Sequence, residues 1–441
     1  MIGALQLSFP RWSAIIVPTP ERGNDEVFQA KGGHSRAGGN PIPLSNREGN
    51  FFNETGMKKI IYFDNAATSW PKPEEVPAAM TRYLCGIGGS PGRSGHRLSI
   101  EAGRIVLEAR EALAKLFGVE DPFRIVFTKN ATEALNLALR GLLKTGDHVI
   151  TSSVEHNSVM RPLRALEKEE VELSVLPCSI RGELDPDAIR PAVRRNTKAL
   201  VLTHAANVTG TILPIAEAGR IAHEHGIVLI VDAAQTAGAL PIGVNEMEID
   251  LLAFTGHKSL LGPPGTGGLY IRQGLEAKIP PLMAGGTGSR SEFEEQPDFL
   301  PDKYEAGTPN TVGLAGLGAG VAWILARGVG AIRAHEEALT GRFLDGLKEI
   351  SGVTLYGPGD PSRQTALISF NIEGLMPSEV ALELDERFAI LSRPGLHCAP
   401  AAHRTIGTFP QGTVRFGFSF FNTEEEIDAA LAALRELARG R

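Results

Sequence analysis

Ile227-Val-Leu-Ile-Val-Asp232-Ala-Ala-Gln235 reads as a buried β-strand that ends in a carboxylate and a turn. Its unbroken aliphatic run, with no polar alternation, fits a strand covered on both faces, as in parallel sheets. Outward from it the same pattern recurs. Arg124-Ile-Val-Phe-Thr128, His148-Val-Ile-Thr151, Ala199-Leu-Val-Leu-Thr203 and Leu251-Leu-Ala-Phe254 are short apolar runs, each leading into a polar or glycine-containing turn. Between such runs lie segments of helical period. Ile100, Ile105, Ala109, Leu113 and Leu116 recur at helical spacing and Gly118 follows, which predicts a helix with a glycine stop. This alternation predicts an α/β fold with a mostly parallel sheet, whose ligands bind beyond the carboxyl ends of the strands. Gly262-Pro-Pro-Gly-Thr-Gly-Gly268 has no strand–turn–helix setting and no GxxxxGK[ST] run occurs, so nucleotide binding is not indicated.

The 441 residues carry a formal charge of −7, with 42% hydrophobic and 22% charged residues. This ordinary globular composition excludes wholesale disorder. The acidic balance argues against nucleic acid or an anionic membrane as a partner, because both call for a cationic face. At about 150 residues per domain the length suggests two or three domains. No aliphatic run approaches the roughly 18 residues of a transmembrane helix. Cys85, Cys178 and Cys398 are odd in number and scattered, a poor disulfide framework that points to a reducing, cytoplasmic location. Cys85 and Cys178 read as small buried hydrophobes. Ala14-Ile-Ile-Val17, closely flanked by prolines and Arg11, is too short for a signal-peptide core. Residues 1–56, rich in Gly, Pro, Asn and Ser, read as a disordered extension, with Met57 the candidate functional start.

Asp232 at a strand end and Lys258 after the next strand are what a pyridoxal phosphate site requires: the lysine forms a Schiff base and the carboxylate keeps the pyridinium nitrogen protonated. Taken singly, each reads more readily as an acidic strand cap or a solvated lysine, since most such residues are simply solvated. Thr128-Lys-Asn-Ala131-Thr132-Glu133 follows a strand and opens an apolar helix, with Asn130 as N-cap. A helix N-terminus there is either a phosphate site or an ordinary cap. His223 and His225 sit at a helix end but do not face the same way, so no metal site is read there.

Seven motifs run in one order: Tyr62-Phe-Asp-Asn-Ala-Ala-Thr68, Ser153-Val-Glu-His156-Asn157-Ser-Val, Asn207-Val-Thr-Gly, Val231-Asp232-Ala-Ala-Gln235, Thr255-Gly-His257-Lys258, Glu305-Ala-Gly-Thr308-Pro-Asn and Arg393-Pro-Gly-Leu-His-Cys398-Ala-Pro. Their order resembles that of the cysteine desulfurases, class V aminotransferase-like enzymes, and the resemblance covers residues 57–441. It implies a type I pyridoxal-phosphate-dependent transferase fold: a large domain with a mostly parallel seven-stranded sheet and a small α+β C-terminal domain. The implied division is an N-terminal segment packing near the small domain (57–74), a large cofactor-binding domain (75–312), and a linking helix with the small domain (313–441).

By the same resemblance Lys258 matches the Schiff-base lysine, Asp232 the pyridinium partner, and His156 the histidine stacked on the ring of pyridoxal 5′-phosphate. Gln235 and Asn207 resemble the groups near its phenolic oxygen. Ala131 (through its backbone), Thr132, Thr255 and His257 resemble the phosphate cradle. Thr308 matches a phosphate contact donated by the partner subunit, which implies a homodimer. Arg415 takes the carboxylate-binding position, with Arg393 a second contact; without the resemblance Arg415 also reads as an edge-strand arginine. Cys398 matches the nucleophile. Its compact Leu396-His-Cys398-Ala-Pro400 setting is similar to the short-loop group II enzymes, whereas Gly285-Gly-Thr-Gly-Ser289 and Lys258-Ser-Leu-Leu-Gly depart from their pattern.

The activity implied is conversion of L-cysteine to L-alanine, with sulfur held as a persulfide on Cys398 and passed to a protein acceptor, as in iron–sulfur cluster assembly. The alternatives are a selenocysteine lyase acting on L-selenocysteine, a class V aminotransferase or lyase for another amino acid, and a non-catalytic sulfur-handling scaffold. The intact Lys258, Asp232 and His156 argue against the last.

Overall fold

The computed structural model describes residues 59–92 and 95–440; the expectations for residues 1–56 and for Met57 lie outside them. The aliphatic runs form the seven-stranded sheet: β1 (Ile125–Thr128), β2 (His148–Ser152), β3 (Glu172–Leu176), β4 (Thr197–Thr203), β5 (Val228–Asp232), β6 (Leu251–Thr255) and β7 (Gly267–Ile271), in the order β1-β7-β6-β5-β4-β2-β3. Only β7 runs against the rest. Successive residues alternate between two cores. Leu200, Leu202, Leu229, Val231, Leu252 and Phe254 pack into one, and Ala199, Val201, Val228, Ile230, Leu251 and Ala253 into the other. Both faces are therefore covered, which is why the strands read as unbroken hydrophobic runs.

The glycine-rich segment has a packing role. A Cβ on Gly268 would stand 2.4 Å from the Phe254 ring, and one on Gly267 2.7 Å from the Asn130 Cα, so β7 enters the sheet only without side chains there. The expected helix spans Arg97–Phe117, capped by Gly118 at φ 69°. Its buried stripe is Ala102, Ile105, Ala109, Leu113 and Phe117, while Ile100 is 57% exposed because, two residues from Ala102, it points to the opposite side of the helix.

A second sheet of four strands, β8 (Val353–Tyr356), β9 (Leu367–Ile372), β10 (Arg393–Gly395) and β11 (Thr413–Gly417), has the order β10-β11-β9-β8 and packs its own core around Phe343, Phe370 and Phe416. Near the start of the described chain, Ile61–Tyr62 pairs in parallel with Ile390–Leu391. Among the described residues no single helix is long and apolar enough to cross a membrane, and no group of three or more His, Cys, Asp or Glu gathers as a metal site.

Candidate active site

Thr203, Asp232 and Thr255 end the adjacent strands β4, β5 and β6 and share the pleat that faces the core of Ala199, Ile230 and Ala253: 199, 201, 203; 228, 230, 232; 251, 253, 255. That face is covered by the helix Ala131–Leu142, so the strand ends and the helix N-terminus meet. Between them is a cavity of about 230 Å³ lined by Asn130, Ala131, Thr132, His156, Ser158, Thr203, Asn207, Asp232, Ala234, Gln235, Thr255, His257 and Lys258. Asn130 caps the helix, its side chain accepting the Glu133 N–H at 3.0 Å, so cap and cavity wall coincide.

Lys258 is half-buried in the cavity wall, and burial lowers its ammonium to about 8, with the charge of Asp232 opposing the shift. Burial pushes the Asp232 carboxyl up, while the Ala234 N–H, donating to its Oδ1 at 2.9 Å, and Lys258 pull it back. His156 is the N-cap of the helix Asn157–Glu167. Its Nδ1 accepts the Ser158 N–H at 3.0 Å, which leaves the proton on Nε2. Burial and nearby cations lower its pKa to about 4, so the ring is neutral. Ser158 Oγ bridges to Thr132 Oγ1 at 2.7 Å.

Beneath the histidine, Glu155 is fully buried and accepts the Thr203 N–H at 2.9 Å; burial drives its carboxyl up to about 8. No role was legible for Ser158, in the first turn of its helix, or for Thr203, at the end of β4, for single hydroxyls at such places carry no local signal.

Three candidates stand at the rim. Arg415 is 1% exposed on β11, an internal strand between β9 and β10, so the edge-strand reading is excluded. Its Nη1 donates to Asn207 O at 2.9 Å and its Nη2 to Asp64 Oδ1 at 3.1 Å, and its Nε is buried without a partner. Arg393 is its register partner on β10. The exposed thiol of Cys398 lies 4.0 Å from Arg393 Nη2. Arg415, Arg393 and Cys398 all come close enough to Lys258 to bear on its charge. Cys178 is half-buried, but Cys85 is exposed rather than a core residue, because its turn, Tyr83–Ile87, buries only Tyr83. Thr308 is not brought to the cavity. It lines a separate cavity of about 190 Å³ with Phe127, Leu282, Met283 and Tyr304.

Three buried polar atoms on the larger cavity's wall lack partners: Asn207 Oδ1, Thr255 Oγ1 and His257 Nδ1. Such atoms are costly to bury unpaired, so this wall is built for a polar guest. A half-buried amine, a strand-end carboxylate, a flat neutral imidazole and a helix N-terminus suit an anionic, aromatic aldehyde such as pyridoxal 5′-phosphate.

Known proteins point the same way. The Aminotransferase class-V family profile matches residues 61–430. A probable cysteine desulfurase of Methanothermobacter thermautotrophicus is 37% identical over 387 residues, 87% of this chain and 96% of that protein. The apo cysteine desulfurase of Thermococcus onnurineus NA1 superposes with a TM-score of 0.82 at 36% identity, covering 87% of this chain and 95% of that one. The S-sulfonic acid form of the Escherichia coli cysteine desulfurase CsdA gives 0.76 at 29%, covering 86% and 94%. With a profile match over most of its length and relatives of this identity, the chain belongs to the class V aminotransferase family, and within it to the cysteine desulfurases.

Proposed function

We propose that the protein is a pyridoxal-phosphate-dependent cysteine desulfurase that converts L-cysteine to L-alanine and retains the sulfur as a persulfide on Cys398. The observation that carries this reading is the docking of the Cys398 turn onto the cavity wall: His397 O accepts Asn207 Nδ2 at 2.7 Å and Cys398 O accepts the Asn157 N–H at 2.9 Å. An exposed thiol is thereby held at the mouth of a cavity lined by Lys258, Asp232 and His156.

When bound, the cofactor supplies an electron sink for the substrate's α-carbon. The chain supplies the rest. Ala131, Thr132, Thr255 and His257 would hold the phosphate, Asn207 and Gln235 would serve the phenolic oxygen, His156 would stack as a neutral ring, and Asp232 would pair with the ring nitrogen. Lys258 anchors the cofactor and then takes the α-proton, a task suited to an amine lowered to about 8. Arg415, with Arg393, holds the carboxylate. Cys398 Sγ, as thiolate, bonds to the substrate sulfur while the Cβ–S bond breaks. The electron pair of that bond stays with carbon, which takes a proton to become the methyl group of alanine. Cysteine plus thiol thus gives alanine plus persulfide, with no external oxidant or reductant.

Thr308 faces a cavity other than the one bounded by its own chain's Lys258, with half-exposed Leu282 and Met283 beside it. That placement supports a homodimer in which Thr308 reaches the partner's phosphate. The exposed Cys398 suits delivery of sulfur to a protein acceptor, and cytoplasmic iron–sulfur cluster assembly is the service we infer. The domain division at residues 75–312 and 313–441 belongs to the same proposal.

The test is Cys398→Ser in the holoenzyme. It should retain the cofactor and its spectral response to L-cysteine yet release almost no alanine or sulfide, whereas Cys85→Ser and Cys178→Ser should be nearly silent. Normal alanine release from Cys398→Ser would overturn the reading.

A further inference from the structure

The turn that presents Cys398 is of a kind its own residues do not favour. Leu396 to Ala399 are closed by the Ala399 N–H donating to Leu396 O at 2.8 Å, and the two central residues, His397 and Cys398, have φ of 48° and 58°. Positive φ at both central positions is the sign pattern of an inverted, type I′ turn, which chains ordinarily build from Asn-Gly. A His-Cys pair stays there only if its surroundings hold it. Two holds are the carbonyl contacts to Asn207 and Asn157. The third is the His397 side chain, 4% exposed, whose Nε2 meets Thr413 Oγ1 at 3.1 Å.

The direction of that bond follows from its neighbours. Ser369 Oγ lies 2.5 Å from Val208 O, and a carbonyl only accepts, so the serine proton is committed there. Thr413 Oγ1 then donates to Ser369 Oγ at 3.1 Å and has only lone pairs left for the imidazole. His397 is therefore the Nε2–H tautomer and the donor. Burial, with Arg415, Arg393 and His403 nearby, keeps it neutral. Thr413 and Arg415 are two apart on β11, paired with Gly395 and Arg393 of β10, so their side chains share one face. The anchor of the turn and the arginine assigned to the substrate are set by one strand.

We propose that His397 is a positioning residue for the nucleophile: its Nε2–H bond to Thr413 fastens the inverted turn to β11 and fixes where Cys398 Sγ stands relative to a substrate held at Arg415. The His397 side chain is buried against Thr413, whereas the Cys398 thiol is exposed, so His397 acts through the turn. The proposal rests on the reading of Cys398 as the sulfur-accepting thiol. Without the bond, the turn is free to relax toward negative φ and carry Sγ away. A displacement of about 1 Å at a reacting atom costs on the order of 100-fold in rate.

The experiment uses the full-length holoenzyme with His397→Leu, Thr413→Val, the double variant, His397→Gln and Cys398→Ser. Two steps are read separately: the cysteine-induced change in the cofactor spectrum, and single-turnover persulfide formation at Cys398, by alkylation and mass spectrometry. His397→Leu and Thr413→Val should keep the spectral change at the wild-type cysteine dependence but form persulfide about 100-fold more slowly. The double variant should be no slower than either single one, because both remove the same bond. His397→Gln, with an amide N–H near the place of Nε2–H, should recover most of the rate. Wild-type persulfide rates in both single variants, or equal loss of the spectral step, would overturn the proposal. Persulfide-independent alanine release by Cys398→Ser would instead remove the assignment beneath it.

Discussion

Replacing Arg415 by lysine keeps a cation on β11 but removes the planar fork. Arg415 is 1% exposed, its two Nη atoms bond to Asn207 O and Asp64, and its Nε has no partner. Burial lowers its pKa to about 10, which leaves it charged at neutral pH. A substrate carboxylate approaching this group can take a two-point bond that a lysine cannot return. One charge-assisted hydrogen bond is worth about 1.5–3 kcal/mol, so at about 1.4 kcal/mol per factor of ten Arg415→Lys should lower kcat/KM for L-cysteine by roughly 10- to 150-fold, chiefly through KM. Arg415→Ala should also destabilise the fold, since it strands Asp64. Because the Asp64 side chain is 24% exposed, water softens that loss, which should fall toward the lower end of the about 3–5 kcal/mol typical of a broken buried pair. Steady-state kinetics and chemical denaturation measure the two effects. A kcat/KM for Arg415→Lys within twofold of wild type, at unchanged KM, would show that the carboxylate is held elsewhere.

Lys258→Ala should abolish the borohydride-reducible bond between cofactor and chain, read by mass spectrometry of digested protein; an adduct retained on another lysine would move the anchor. Thr308→Ala should weaken cofactor retention in the dimer, and mixing it with Lys258→Ala subunits should restore one intact site if Thr308 serves the partner. Recovery no greater than the sum of the separate variants would contradict that arrangement. Glu336, 5% exposed in the second sheet's helix Val329–Lys348, is raised by burial to about 8 from an ordinary 4.5, against the pull of Arg333. The folded state therefore binds its proton more tightly, so stability present below pH 4.5 is lost as pH rises to about 8. Relative to wild type, Glu336→Gln should gain Tm between pH 5 and pH 9, and a pH-independent difference would refute this.

The local parts of this protein were legible along the chain. The aliphatic runs that became β1, β2, β4, β5 and β6, the Asn130 cap, and the carboxylate and lysine at strand ends are decided by residues a few positions apart, and they appear where the sequence puts them. The glycine-rich β7 was not, because its glycines answer to Phe254 and Asn130 rather than to their neighbours. Nor was the half-exposed β3. Ile100 and Cys85 were misjudged for the converse reason: an apolar residue is buried only if another element arrives to cover it.

From the sequence alone came the chemistry: which amine, carboxylate, imidazole and thiol the chain possesses, and that the carboxylate would end one strand and the amine follow the next. Only the tertiary structure decided that Arg415 sits inside a sheet opposite Arg393, that Thr203, Asp232 and Thr255 share one face, and that Asn207 and His397 hold the Cys398 turn. Those relations join residues up to two hundred positions apart, and they arise from strand pairing and from the need of each buried polar group for a partner, neither of which leaves a periodic trace along the chain.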